Sequence, residues 1–360
     1  MNNHVRINIH KHMFSDKNFC LLENKNFKVE LLKYESGIEG IFVSNNILEF
    51  VILPYMGFQI WKFKYKGNDL TQKSIFDYPL NNKKFGDNYG GFLYHCGLTN
   101  INAAEEGENY PLHGELPFAE FRNNYIEINS EEIIIRGEFI YKNSQDYYYS
   151  YKPIIKLEKD SSLVKLTNSI KNHRLNSLNY LSMIHMNWLT IENSKLYYTA
   201  NEDDVKAEVV EAWDDTERVK LLSDISKDIS KNPQITNTID EKTRLLNPEY
   251  CINIKYKSDK KGMAHSIMEL PNKESYYVSF NNEILPFGLR WFCRTGDEDG
   301  IGFCCPTTGN NRSTKYQREH GYFNTLKHNE EHNINYIFGI LNAEETEKMK
   351  KEIENIKYKI

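Results

Sequence analysis

The chain has 360 residues, 45 of them basic and 50 acidic, for a formal net charge of −5. So mild a balance offers no basic stripe for a phosphate backbone, and no nucleic-acid partner is expected. Glycine and proline (19 and 10 residues) are too sparse for a collagen-like or Pro/Gly-rich disordered chain. With 40% hydrophobic residues the chain can bury a large core. Its 24 Tyr and 19 Phe lean toward β structure, although an AT-rich coding sequence would produce the same excess, so periodicity must decide.

The N-terminal stretch MNNHVRINIHKHMF has no apolar core, so no secretory signal is expected. From there the chain reads as short strands, Phe27–Lys33, Ile38–Val43, Ile47–Leu53 and Gln59–Tyr65, separated by turn signals such as Ser44-Asn45-Asn46 and Lys66-Gly67-Asn68. That rhythm of roughly ten residues per strand is the signature of a sandwich or barrel. The run Ile47–Met56 is the longest apolar stretch; it contains Pro54 and is about half the ~20 residues a membrane span needs, so no membrane is expected. Further strands are expected at Tyr125–Ile128, Ile133–Tyr141, Tyr147–Leu157 and Leu163–Ile170. An unbroken antiparallel series of this kind leaves no room for the helical crossovers of an α/β fold.

Two helices are expected. Asp214–Lys231 carries Val219, Leu222, Ile225 and Ile229 at helical spacing, and the tail at about 343–358 places acids first and lysines later, as the helix dipole favours. Both read as decoration on a β core, and the whole chain, 1–360, as one domain. The six cysteines are scattered, form no CxxC pair, and follow no secretory signal, so reduced thiols and a cytoplasmic location are expected.

Three stretches concentrate reactive side chains. The first, Gly90–Phe118, holds His95, Cys96, the acids Glu105, Glu106 and Glu108, then His113 and Glu115. The second, Met183–Trp188, reads as a strand with Met183, His185 and Asn187 on one face. The third, Arg290–Gly321, is dense in Arg, Asp, Glu, Gly and Cys, including Cys304 and Cys305. None contains an HxH, HExxH or CxxC spacing, so no metal and no other cofactor is expected.

Four passages in order resemble a known family. They are Ile52-Leu53-Pro54-Tyr55-Met56-Gly57 followed by Tyr65-Lys66-Gly67; Gly90-Gly91-Phe92-Leu93-Tyr94-His95-Cys96-Gly97-Leu98-Thr99-Asn100; Leu112-His113-Gly114; and Ile184-His185-Met186-Asn187-Trp188. Together they resemble the aldose 1-epimerase (galactose mutarotase-like) superfamily, in its DUF4432 branch, over roughly residues 30–342. The resemblance implies an all-β supersandwich with a few peripheral helices and a sugar lying across one concave sheet. It also implies a reaction, in which a carboxylate takes the proton of the anomeric hydroxyl while a histidine protonates the ring oxygen. The ring opens, the C1–C2 bond rotates, and reclosure gives the other anomer.

Carried over by motif, His185 matches the general acid and His113 the histidine that binds hydroxyls near the ring oxygen. Three positions depart from the pattern. Cys305 stands where the family has its glutamate base, Tyr89 where some relatives have an arginine before the paired glycines, and Glu115 where close relatives have another arginine. A thiol, with a reference pKa near 8.5, is a poor base unless activated. Replacement acids are available in Glu115, Asp297, Glu298, Asp299 and Glu319. The expected catalytic set is therefore His185, His113 and Cys305, with His95, Asn187, Trp188, Glu115 and Arg290 binding a small sugar and the protein a monomer or homodimer. The alternatives are a sugar-binding protein without catalysis, and lyase or hydrolase chemistry on the same scaffold.

Overall fold

A computed structural model describes residues 5–104 and 107–358. The acids Glu105 and Glu106 singled out above lie outside the described residues. Two antiparallel sheets pack face to face. One has nine strands; the other has fourteen, three of which branch off its main path. The expected strands appear within a few residues of their predicted bounds: Lys28–Lys33, Glu39–Ser44, Leu48–Leu53 and Gln59–Tyr65 in the larger sheet, and Arg122–Ile128, Glu132–Lys142, Tyr148–Glu158 and Leu163–Asn172 in the smaller. The two expected helices form at Glu217–Lys231 and Ala343–Tyr358, and a short third helix, Thr314–Glu319, was not anticipated.

Alternation explains the layers. In Tyr148–Glu158, Tyr149, Tyr151, Ile155 and Leu157 point into the sandwich while Lys152 and Lys156 point out. The larger sheet answers with Phe63, Phe92 and Trp188, which meet Phe338 and Tyr276 of the smaller one across the interior. Burying side chains of this size contributes about 1.5–3 kcal/mol each, so the aromatic excess is spent chiefly on the space between the sheets. No helix among the described residues is long and apolar enough to cross a membrane.

The other face of the larger sheet carries the reactive side chains. Its neighbouring strands run Glu249–Lys255, Phe287–Arg294, Asp299–Thr307, Leu178–Met186 and Leu93–Leu98. Residues directly opposite in an antiparallel pair share a face. His185 lies opposite Tyr94, Met183 opposite Cys96, Leu289 opposite Cys305, and Cys251 opposite Trp291. This register gathers a histidine, several thiols and a tryptophan on one surface.

Candidate active site

His185 sits at the centre of that surface. The Tyr89 hydroxyl is 3.1 Å from its Nε2, and the Cys305 sulfur is 3.8 Å from its Nδ1. The Cys305 thiol in turn donates to the Met186 carbonyl at 4.0 Å. One proton arrangement satisfies all three contacts: the thiol keeps its proton, Nδ1–H faces the sulfur, and Nε2 accepts from Tyr89. Burial pushes the Cys305 thiol up to about 12, which agrees with a protonated sulfur. Burial, helped by the charge of His113, lowers His185 to about 3, so its imidazole is neutral in this closed arrangement.

His113 arrives from a loop, and local backbone geometry sets its position. Its own φ is 63° and that of Gly114 is 81°, two successive left-handed residues. A Cβ on Gly114 would lie 2.4 Å from the Gly97 carbonyl, so only glycine lets this turn press against the end of the Leu93–Leu98 strand. The Gly97 amide then donates to the His113 carbonyl. The His113 Nδ1–H donates to the Ile101 carbonyl at 2.6 Å, which leaves Nε2 as the free nitrogen. Its ring centroid is 5.7 Å from that of His185, and burial lowers its pKa to about 4.

Aromatic rings frame the pair. Tyr89 packs edge-on against both His185 and Trp291, and Phe85 against His113. Asn187 follows the end of the strand; its amide donates to the Gly91 carbonyl at 3.0 Å and its oxygen faces the Tyr89 hydroxyl at 3.4 Å. It therefore holds the Gly90-Gly91 turn against the sheet next to His185. The Trp291 indole N–H donates to the Glu249 carboxylate at 2.9 Å, which places a carboxylate at the rim of the cluster.

A family model described as "Domain of unknown function (DUF4432)" matches residues 35–340. The chain belongs to the DUF4432 family. Solved structures agree on the fold. A candidate aldose 1-epimerase from Klebsiella pneumoniae is similar with a TM-score of 0.80 at 14% identity, over 99% of this chain and 96% of that one. A galactose mutarotase-like protein from Clostridium acetobutylicum gives 0.61 at 14% identity, over 89% and 100%. A galactose 1-epimerase from Lactobacillus acidophilus gives 0.50 at 15% identity, over 90% and 98%. No curated protein matches the sequence.

In this DUF4432 chain the predicted residues separate into two groups. His185, His113, Cys305 and Asn187 come together. The other four, His95, Trp188, Arg290 and Glu115, lie outside the cluster. His95 points between the sheets, where its Nδ1 meets the Tyr151 hydroxyl at 2.8 Å, because it alternates with Tyr94 and Cys96. Burial lowers it to about 3. Trp188 is fully buried and stacks on Tyr276 of the opposite sheet at 4.6 Å. Arg290 is also fully buried; it donates to Thr236 and Asn237 and lies over the Tyr198 ring, turned from the cluster because it alternates with Leu289 and Trp291 and lies opposite the core residue Ile252.

The alternative acids lie outside the cluster. Glu115 accepts from the Leu98 amide at 2.7 Å and from the Thr99 and Tyr149 hydroxyls, binding the strand end to the smaller sheet. Burial raises its pKa. Asp299 pairs with Arg294 at 3.1 Å. Glu298 sits in the adjoining turn, where its amide donates to Thr295, and Glu319 ends an exposed helical turn. Glu249 escaped the sequence reading because no motif marks it. Its one signal is period-two alternation with Cys251, which is informative only once the strand is known to pair with Trp291.

Proposed function

We propose that the protein is an aldose 1-epimerase-like isomerase that opens and recloses a small sugar at its anomeric carbon. The observation that carries this reading is the meeting of the His113 and His185 rings at 5.7 Å on the face of the larger sheet turned away from the smaller one, beside a tryptophan-held carboxylate. The sugar displaces the Tyr89 hydroxyl from His185 and lies against Trp291. Because burial is what lowers His185, replacing an aromatic cover with sugar hydroxyls returns its pKa toward the usual ~6.5 and makes it an effective acid near neutral pH.

In this scheme His185 gives a proton to the ring oxygen and His113, through its free Nε2, accepts a hydrogen bond from a neighbouring hydroxyl. Glu249 takes the proton of the anomeric hydroxyl, the task for which the Cys305 thiol, at about 12, is unsuited. Reclosure after rotation about C1–C2 reverses both transfers. A mild overall charge suits a neutral substrate, which needs no steering field.

NMR exchange spectroscopy over a panel of free aldoses tests the proposal. The wild type should speed anomer interconversion of at least one sugar over buffer, and Glu249→Gln should lower that rate by about 10²–10⁴. No acceleration by wild type for any sugar would sink the enzymatic reading. A second reading, sugar binding without catalysis, is favoured by the thiol at the position of the family's base. It predicts calorimetric binding with no exchange enhancement.

A further inference from the structure

A second group of reactive side chains lies under the C-terminal helix, Ala343–Tyr358. Asp259, His265 and Glu352 each offer one ligand atom, and the three atoms all lie within 4.8 Å of one another. We propose that these residues form a binding site for a divalent transition-metal ion of the zinc type, which clasps the C-terminal helix to the strand hairpin beneath it.

The donors are prepared for that task. His265, on the strand Met263–Glu269, is buried, and its Nδ1 is engaged by the Tyr277 hydroxyl at 2.9 Å. That contact leaves Nε2 directed at the cluster, the arrangement in which a ligating imidazole is oriented by a partner on its other nitrogen. Asp259 uses Oδ1 to accept from the Lys261 and Met263 amides in the loop that enters the strand Met263–Glu269, which orients the carboxylate and leaves Oδ2 toward His265. Among the described residues, no hydrogen bond or ion pair engages the Glu352 carboxylate, although it lies in the field of His265.

The Asp259–His265 spacing also fits. Two donors each 2.0–2.1 Å from a tetrahedral ion stand about 3.3–3.4 Å apart, and Asp259 Oδ2 lies 3.4 Å from His265 Nε2, which is long for a charge-assisted hydrogen bond. One imidazole and two carboxylates are a borderline-to-hard donor set, suited to zinc and its first-row neighbours. A cavity of about 760 Å³ lined by Asp259 and Glu352 gives solvent access for entry and for a fourth, water ligand. Lys260, Lys261, Lys348 and Lys351 line the same cavity, and their charge weakens cation affinity. Without the ion the helix is held by buried Ile353, the Thr346–Ser275 hydroxyl contact and the Lys350–Glu269 pair. Glu352 lies beyond the family-matched residues 35–340, so the clasp joins the family core to a segment outside it.

The test uses the full chain with His10→Ala and His12→Ala, because those exposed, stacked rings are a competing chelate. After dialysis against chelator, zinc chloride is titrated calorimetrically and cobalt(II) binding is followed by its visible d–d bands. One site is expected, with affinity at least tenfold weaker in His265→Ala and in Glu352→Gln. Zinc should raise the melting temperature of the parent protein but not of Glu352→Gln, whose half-exposed position makes misfolding an unsuitable explanation for the loss. Absence of zinc binding by the parent, or titrations of both variants that match it, would overturn the proposal.

Discussion

His95 and His185 sit on adjacent strands and differ in which way they point. His185 faces Tyr94 across the ladder, and His95 is the next residue along from Tyr94. That step of one residue puts His185 on the sheet's outer face with Tyr89 and His113, and His95 between the sheets with Tyr151. Both imidazoles are kept neutral by burial, each lowered to about 3. A strongly shifted histidine is therefore no mark of a site in this molecule; the mark is the company it keeps. His185 has a tyrosine, a thiol and a second histidine within reach, whereas the Nε2 of His95 has no hydrogen-bond partner.

The sharpest way to break the comparison is to truncate both rings. His185→Ala should lower the exchange rate of the folded fraction by about 10²–10⁴. His95→Ala should cost about 2–4 kcal/mol by urea denaturation while the folded fraction keeps its rate. Equal rate losses in the two variants would remove the distinction between core and site histidine.

What both histidines share gives the next effect. In the unfolded chain an imidazole titrates near 6.5, whereas in the folded chain His95, His113 and His185 are lowered to about 3, 4 and 3. Unfolding below pH 6.5 therefore takes up protons. The stability these groups contribute is complete above about 6.5 and is lost as pH falls toward the folded values. Urea midpoints should be flat above pH 7 and fall between pH 6.5 and 5, before carboxylates titrate. The slope is at most about 1.4 kcal/mol per pH unit for each buried histidine. His113→Gln with His185→Gln should flatten that fall, and an unchanged slope would show that the two rings are not buried neutral.

How far the sequence discloses this arrangement depends on what each inference requires. Strand rhythm and turn residues are local, so Gln59–Tyr65 and its neighbours, and the helix from Ala343, could be read from alternation and charge order. The ordered motifs located His113 and His185. Parity alone says which residues share a face but not which face is open, and that is why His95 was grouped with the site. Trp188 is one residue on from Asn187, and Arg290 lies between Leu289 and Trp291, so ordinary alternation turns both away from the cluster. Neither could be excluded until the facing of Asn187 and of Trp291 was known. Glu249 depends on a strand pairing that no local pattern specifies, and Asp259, His265 and Glu352 meet only through the packing of the last helix.

Tyr89 offers a smaller and more specific test of the His185 face. Its hydroxyl holds the position on His185 that a sugar oxygen takes in the proposed reaction, so each binding event must first displace it. A closed ground state weakens apparent affinity by the fraction of molecules that are open. Tyr89→Ala should lower KM by about tenfold with a smaller change in kcat, and Tyr89→Phe, which keeps the ring and loses the hydroxyl, should fall between. A KM that rises in both variants would make Tyr89 a sugar-binding residue instead of a cover.

The smallest expected effect concerns Cys305, the position that the motif resemblance assigns to a glutamate base. If Cys305 had inherited the base role, replacing its sulfur would cost about as much as losing any general base, 10²-fold or more. The structure gives the thiol no means to ionise: it is fully buried, burial pushes it up to about 12, and its proton is directed at the Met186 carbonyl. A neutral hydroxyl of similar size can make the same donation and the same contact with His185 Nδ1. Cys305→Ser should therefore stay within about threefold of wild type in exchange rate and keep its pH profile. Iodoacetamide should react slowly at this position, since the thiolate is the nucleophile. A hundredfold loss in Cys305→Ser, with Glu249→Gln unaffected, would move the base from the rim of the cluster to the strand that carries Cys305.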